Sequence, residues 1–414
     1  MKLDILFLGK LFPKEFEVTI KSKMKTGMQD AANALQWHII DGLEANDCGQ
    51  IKILNYLPVD SYPKGYTDSR IERFIFQHTD KYQADDLNVG CTNLTIVKQF
   101  CNQQPFKREI KKWAKTDNGG KKVVMLYTAS CMFLELVKYA KSCNDKIAAC
   151  CIIADIPEFV TARDLHGVRK LYSDFTVKKS NALYKYIDKF VLLTKQMAEK
   201  LNITVPFCVV EGIATNTDAP ADDTLAKQYE NDKYILYTGT LNYKFGIGNL
   251  LEAFSMVPDK DIKLIVCGFG EAEKSIIEQA KVDKRIIYLG RVERKQVLAL
   301  QRKATVLVNP RQNNEEFTKY SFPSKNLEYL SSGIPLVAYK LDGIPDEYDE
   351  YINYVQDDSP ESLAAKLVEI CSMDEQSRKE MGKRGADFVL KNKNARVQTR
   401  HILEFLAECS KGEM

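Results

Sequence analysis

Short apolar runs of strand length alternate with helical patterns along this chain, and that alternation admits few folds. In the first half the runs are Leu3–Leu8, Ile51–Leu54, Val123–Tyr127, Ile147–Ile153 and Phe190–Leu193. Helical patterns such as Met28–Leu43 and Met132–Lys141 lie between them. A second series comprises Phe207–Val210, Tyr234–Tyr237, Ile262–Val266, Ile286–Leu289, Val306–Val308 and Leu336–Ala338. Near-continuous apolar strands separated by helices imply parallel sheets covered on both faces. The expected fold is α/β, with two doubly wound, Rossmann-like domains packed face to face. Their boundary is expected near Asn202–Pro206, giving domains of residues 1–205 and 206–394. Ser359-Pro360-Glu361 reads as a helix start, and Ala395–Cys409 as a last amphipathic helix. The stretch Ser61–Gln104 lacks clean periodicity and reads as irregular loops and short helices.

Composition narrows the class. Of 414 residues, 45% are hydrophobic and 28% charged, as in soluble globular proteins. No apolar run approaches the roughly 20 residues that cross a bilayer. Asp4 interrupts the first apolar run, which therefore reads as a buried strand rather than a signal peptide. The 11 cysteines form no CxxC pair and suit a reduced, cytoplasmic protein. The 4 histidines have no ligand spacing, so no metal site is expected. A net charge of +3 does not argue for nucleic acid. One basic stretch, Lys107–Lys122, carries seven cations against Glu109 and Asp117. With Phe106, Ile110 and Trp113 at helical spacing it fits either a helix docked on a sheet or a peripheral contact with the inner face of the plasma membrane.

The chemistry concentrates in Asn309–Tyr339. A strand runs into a polar loop with Arg311, Glu316, Thr318, Tyr320, Ser321 and Ser324, then into a helix with Lys325 in its first turn and Glu328 one turn in. A lysine opposes the helix dipole there unless an anion shares the N-terminus. A carboxylate beside it suits the vicinal hydroxyls of a ribose. Gly333-Ile334-Pro335 ends the helix.

These residues carry a resemblance. Glu328 and Gly333-Ile334-Pro335, within the wording of Phe322–Pro335, resemble the nucleotide-sugar site of retaining glycosyltransferases of the GT-B fold, family four, in a bacterial surface-polysaccharide branch. The family's first glutamate falls at Tyr320, with Glu315 and Glu316 as alternatives in the same loop. The resemblance implies two domains facing across a cleft, the first holding a glycan or lipid-linked acceptor and the second a nucleotide-sugar donor, expected to be a UDP-sugar. It implies retention of configuration, no cofactor and no metal. In the family the last helix crosses back onto the first domain, a path open to Ala395–Cys409.

Other stretches join this site. Gly239 and Thr240 end a strand, and Lys244 precedes Gly246 at a helix start, where the family has its phosphate-binding cations; a plain surface lysine is the alternative. Gly268 and Gly270 match a glycine turn lining the donor, and Arg291 and Val292 the backbone that meets the nucleobase. Asp155 follows a strand where the family often has a histidine near the reacting sugar; a capping aspartate is the alternative. Gly9, Lys10 and Gly27 fall on the acceptor side. Catalysis is thus assigned to Asp155, Lys244 and Lys325. Two other readings are a non-catalytic nucleotide-sugar-binding subunit, suggested by Tyr320, and a nucleotide-sugar epimerase on the same fold. Turnover is expected to persist in excess chelator; complete loss that manganese or magnesium restores would refute the metal-free expectation.

Overall fold

The computed structural model describes residues 2–26, 30–95, 98, 103–156, 168–216 and 222–408. Gly27 lies outside the described residues. The chain divides into two compact units, Met1–Glu211 with Ala395–Met414, and Gly212–Asn394.

The first unit is built on an eight-stranded sheet. Its order is Phe207–Val209, Lys189–Leu192, Ala148–Ile153, Lys121–Tyr127, Leu3–Gly9, Gly49–Asn55, Asp86–Asn88 and Phe74–Phe76. All neighbours pair in parallel except the last two strands, which are antiparallel. Counted along the chain, the parallel strands run 3-2-1-4-5-6-7. Leu3–Gly9 sits in the middle and is buried throughout. Asp4, the polar break in that strand, is also buried. Its carboxylate accepts from the Trp113 indole at 2.7 Å, Asn118 Nδ2 at 3.1 Å and Lys122 Nζ at 2.6 Å. That network docks the helix Gln104–Lys115, whose Phe106, Ile110 and Trp113 are buried. The apolar stripe of the basic stretch is therefore spent on the unit's own core.

Two readings of the sequence are corrected here. Phe207–Val209 pairs with Lys189–Leu192 and ends the first sheet rather than opening the second. Apolar alternation reports that a strand is buried, not which sheet it joins. Secondly, Ser61–Gln104 contains strands. Asp86–Asn88 continues the main sheet beside Gly49–Asn55, although two of its three residues are polar. Both are buried because neighbours satisfy them. Asp86 accepts from the Ile53 N–H at 2.8 Å and the His78 ring at 2.7 Å, and Asn88 accepts from Asn55 at 2.9 Å.

The second unit has a six-stranded, all-parallel sheet. Its order is Ile286–Gly290, Ile262–Phe269, Lys233–Thr240, Val306–Asn309, Leu336–Ala338 and Asn353–Tyr354. Along the chain this is again 3-2-1-4-5-6. The two sheets and their flanking helices form two Rossmann-like domains. Ser359 caps the helix Pro360–Ser372 as expected, accepting from the Ser362 N–H at 3.2 Å. The helix Glu375–Asn392 crosses so close to the Gly333 turn that a Cβ on Gly382 would meet the Gly333 carbonyl oxygen at 2.0 Å. The final helix, Ala395–Ala407, belongs to the first unit. It packs on Asp30–Ala45, where Asn46 donates to Thr399 Oγ1 at 2.9 Å and the Arg396 carbonyl at 2.8 Å. Lys189 donates to the carbonyls of Phe405 and Glu408, capping its last turn. Among the described residues no helix is long and apolar enough to cross a membrane.

The His78 cluster yields a prediction. The buried ring lies 2.7 Å from Asp86 and 3.4 Å from Glu44, which also accepts from Tyr82 at 2.7 Å. Burial disfavours its charged form, but the two carboxylates outweigh burial and raise its pKa. A raised folded pKa contributes stability that is full below the unfolded value of about 6.5 and fades as pH rises through the folded value. Urea unfolding of the native protein and of His78→Asn should therefore show a larger stability gap at pH 6 than at pH 9. An equal gap at both would mean that the ring stays neutral.

Candidate functional site

In a doubly wound sheet, ligands bind beyond the carboxyl ends of the strands where the strand order reverses. In the second unit the reversal lies between Lys233–Thr240 and Val306–Asn309. The two loops that leave these ends are Leu241–Gly246 and Pro310–Pro323. They touch: a Cβ on Gly246 would sit 1.8 Å from the Pro310 carbonyl oxygen, and its φ of +81° is one that side chains rarely adopt. Only glycine allows that approach.

The contact brings Lys244 and Arg311 to one aromatic pair. Lys244 Nζ lies 5.2 Å from the Phe245 ring centroid and 5.8 Å from that of Phe317. Arg311 lies 4.5 and 5.6 Å from the same rings, which meet edge to face at 6.2 Å. Lys244, resting on those π faces, keeps much of its charge available to an incoming anion. Lys244 is exposed and makes no ion pair among the described residues.

Deeper in the site, Thr238 is the hub. It is 3% exposed. Its N–H donates to Tyr329 Oη at 2.8 Å, and that hydroxyl donates to the Thr238 carbonyl at 3.0 Å. Its Oγ1 takes Gln301 Nε2 at 3.2 Å and Lys325 Nζ at 3.4 Å. Lys325 stands in the first turn of the helix Ser324–Ser331 and leans over Gly239, its Cε 3.6 Å from where a Cβ would be.

Lys325 is not simply waiting for an anion. Its ammonium lies 3.0 Å from Glu328 Oε1. The same oxygen accepts from Gln301 at 2.7 Å, while Oε2 takes Arg294 at 3.0 Å. Burial acts to raise the Glu328 pKa, but Lys325, Arg294 and Gln301 together hold it down at about 2. This corrects the view of Lys325 as a lysine whose charge only opposes the helix dipole: Glu328 compensates it one turn on. Of about four lone-pair directions on a carboxylate, three are engaged, and the most accessible partner is Arg294, 67% exposed.

The other residues fall into two groups. Gly268 and Gly270 follow Gly239 and Leu241 closely, since Cβ atoms there would meet Gly239 O at 1.8 Å and Leu241 O at 2.6 Å. Phe269 between them is half exposed, and Arg291 covers its ring at 4.1 Å, with Val292 next in the chain. Thr240 is exposed at the strand end, and its carbonyl accepts from Tyr237 Oη at 2.9 Å. Glu316 and Ser324 are exposed; Tyr320 is half-buried and ends a short helical turn, Glu316–Tyr320. Ser321 Oγ is buried without a hydrogen-bond partner. Thr318 differs from expectation. It is fully buried, and its hydroxyl is used inside the loop, on Glu315 O at 2.5 Å and Asn313 Oδ1 at 3.0 Å. Its place is that of a loop brace.

The site also contains residues that the sequence reading passed over: Thr238, Gln301, Arg294 and Tyr329. Gln301 carried a signal, being a polar residue on the buried stripe of Arg294–Lys303. In the first unit, Gly9 and Lys10 follow the central strand, and Asp155 follows Ala148–Ile153, exposed beside Tyr127. Gly27 lies outside the described residues.

Comparison with known proteins places this geometry. Residues 221–388 match the family model described as Glycosyl transferases group 1. No curated protein sequence matches the chain. Among solved structures, sucrose-phosphate synthase from Thermosynechococcus elongatus superposes with a TM-score of 0.63 at 14% identity, covering 98% of both chains. Anabaena HepE in complex with UDP gives 0.63 at 13% identity, covering 98% of this chain and 100% of that one. The lipopolysaccharide outer core galactosyltransferase WaaB gives 0.58 at 12% identity, covering 99% of this chain and 100% of that one. At such identities the likeness speaks for the fold. Residues 221–388 thus match the Glycosyl transferases group 1 model, in a chain with the GT-B fold.

Proposed function

We propose that this protein is a retaining, metal-independent glycosyltransferase of family four. It moves a sugar from a nucleotide-sugar donor, a UDP-sugar, to a glycan or lipid-linked acceptor in polysaccharide biosynthesis in the cytoplasm. The observation that carries this reading is the cluster of Thr238, Lys325 and Glu328 with Lys244 and Arg311 at the strand-order reversal of the second unit. HepE, solved with UDP, has the same fold.

In this reading the diphosphate lies between Lys325 and the Lys244–Arg311 pair, with the amide end of Ser324–Ser331 beneath it. These groups stand where negative charge grows as the glycosidic bond breaks, and they need no rearrangement to meet it. Glu328 takes the ribose hydroxyls on Oε2, with exposed Arg294 swinging away. Gly239, Thr240, Gly268 and Gly270 supply close backbone, and Arg291 and Val292 meet the base. Ser321, Ser324, Tyr320 and Glu316 face the donor sugar. Asp155, Gly9 and Lys10 serve the acceptor. In this reading the leaving phosphate takes the acceptor proton, so the reaction requires no protein nucleophile at the sugar. The basic residues of Lys107–Lys122 give the protein a peripheral contact with an anionic membrane face.

Tyr320, standing where the family has a glutamate, favours a second reading: a subunit that binds nucleotide sugar without transferring it. Incubation with a panel of UDP-, GDP- and ADP-sugars, read by mass analysis, separates the outcomes. Free nucleotide with glycosylated product supports transfer, binding without turnover supports the subunit, and an isomerised donor supports an epimerase.

Lys325→Ala sharpens the test. Loss of one ion-pair partner of the largely buried Glu328 should lower the melting temperature, by a modest amount because the lysine is partly solvated. Affinity should fall by roughly tenfold or more for a nucleoside diphosphate, the cost of a charge-assisted hydrogen bond. Affinity for the bare nucleoside should hardly change. An equal fall for nucleoside and diphosphate would show that Lys325 acts only through Glu328.

Glu328→Gln should weaken binding of the nucleoside itself, because the amide replaces one acceptor by a donor. Calorimetry with uridine reads this directly, and unchanged affinity would remove Glu328 from the ribose.

A further inference from the structure

One helix grips both oxygens of Glu328. Arg294 and Gln301 stand about two turns apart on Arg294–Lys303 and so share a face of it. Arg294 reaches Oε2 at 3.0 Å, and Gln301 Nε2 reaches Oε1 at 2.7 Å. The two grips differ in kind: Arg294 is exposed, whereas Gln301 is fully buried.

The Gln301 amide has one possible orientation. Its second proton goes to Thr238 Oγ1 at 3.2 Å. Tyr329 spends its one proton on the Thr238 carbonyl, so the Thr238 hydroxyl donates to Tyr329 Oη at 3.1 Å. Turned over, the amide would set its oxygen against Glu328 Oε1 on one side and against a hydroxyl with no proton to give on the other.

That orientation leaves a cost. Gln301 Oε1 is buried and has no hydrogen-bond partner among the described residues. An orphaned buried carbonyl oxygen is destabilising. The buried residues just before it on the helix, Leu298, Ala299 and Leu300, are apolar. An apolar side chain at position 301 would remove the cost, and Glu328 would still keep Lys325 and Arg294. Stability therefore does not account for a glutamine here. What the glutamine supplies is geometry. Together with Lys325, which lies 3.0 Å from the same atom, it fills Oε1 from inside and leaves Oε2 on the side of exposed Arg294.

We propose that Gln301 is a positioning residue, which sets the Glu328 carboxylate through Oε1 so that the carboxylate recognises the vicinal hydroxyls of a ribose. Gln301 touches no ligand itself. The proposal rests on the reading of Glu328 as the ribose partner. A nucleotide without those hydroxyls does not engage the carboxylate and is indifferent to Gln301.

Gln301→Met is the test, since methionine keeps the length of glutamine without either polar atom. Calorimetry with UDP and with 2′,3′-dideoxy-UDP is compared for the native protein, Gln301→Met, Glu328→Gln and the double variant. Gln301→Met should bind UDP about three- to tenfold more weakly, the worth of one hydrogen bond. It should bind dideoxy-UDP as the native protein does, and its melting temperature should stay close to the native value or rise. On top of Glu328→Gln the same change should add little, because both act through one carboxylate. A loss of packing alone would weaken both nucleotides alike. That result, or unchanged UDP affinity in Gln301→Met beside a fall in Glu328→Gln, overturns the proposal and leaves Glu328 at the ribose. Should Gln301→Met not fold, Gln301→Leu takes its place; loss of the fold in both would show that Gln301 serves stability, and likewise overturns the proposal. If the native protein does not bind UDP, or Glu328→Gln binds it as before, the ribose reading itself fails and the role of Gln301 falls with it.

Discussion

Everything of functional interest depends on one constraint of parallel sheets. Each parallel connection must cross over a face of the sheet, and when the chain moves first one way and then the other from a central strand, the crossovers take opposite faces. The loops leaving the central strand and its new neighbour then diverge, and a crevice opens between them. Leu3–Gly9 and Lys121–Tyr127 make that pair in the first unit, Lys233–Thr240 and Val306–Asn309 in the second. The crevice needs no special residues to exist. The residues decide only what it holds.

The two crevices are furnished differently. In the second unit the charges around Glu328 are paired before any ligand arrives. Lys325, Arg294 and Gln301 surround Glu328, and Thr238 ties them to the end of the central strand. A balanced network tolerates burial, because each charge has a partner. It also sets geometry in advance, and a diphosphate entering it meets dipoles already oriented. In the first unit the loop is as firmly fixed, through Gln36 and Asn55, and Lys10 lies over the Phe133 ring with no carboxylate partner among the described residues.

Aromatic rings serve both sites. Phe245 and Phe317 carry Lys244 and Arg311, Phe269 carries Arg291, and Phe133 lies under Lys10. A ring face holds a cation in place without neutralising it, which a carboxylate would do.

The sequence by itself determined the two βα series, most strand positions, the cap at Ser359, and the location of the Lys325–Glu328 segment at a strand-to-helix junction. Those features are local: periodicity records which face of a segment is buried, and a lysine in a first helical turn is visible without any neighbour. The tertiary structure alone decided the strand order, and so which loops meet. It assigned Phe207–Val209 to the first sheet, and it placed Asp86–Asn88 in that sheet although polar residues fill it. It chose Gln301 and Arg294 as partners of Glu328, and it turned Thr318 inward to brace its loop. Pairing and hydrogen bonding across tens of residues depend on how crossovers pack, and no local pattern encodes that.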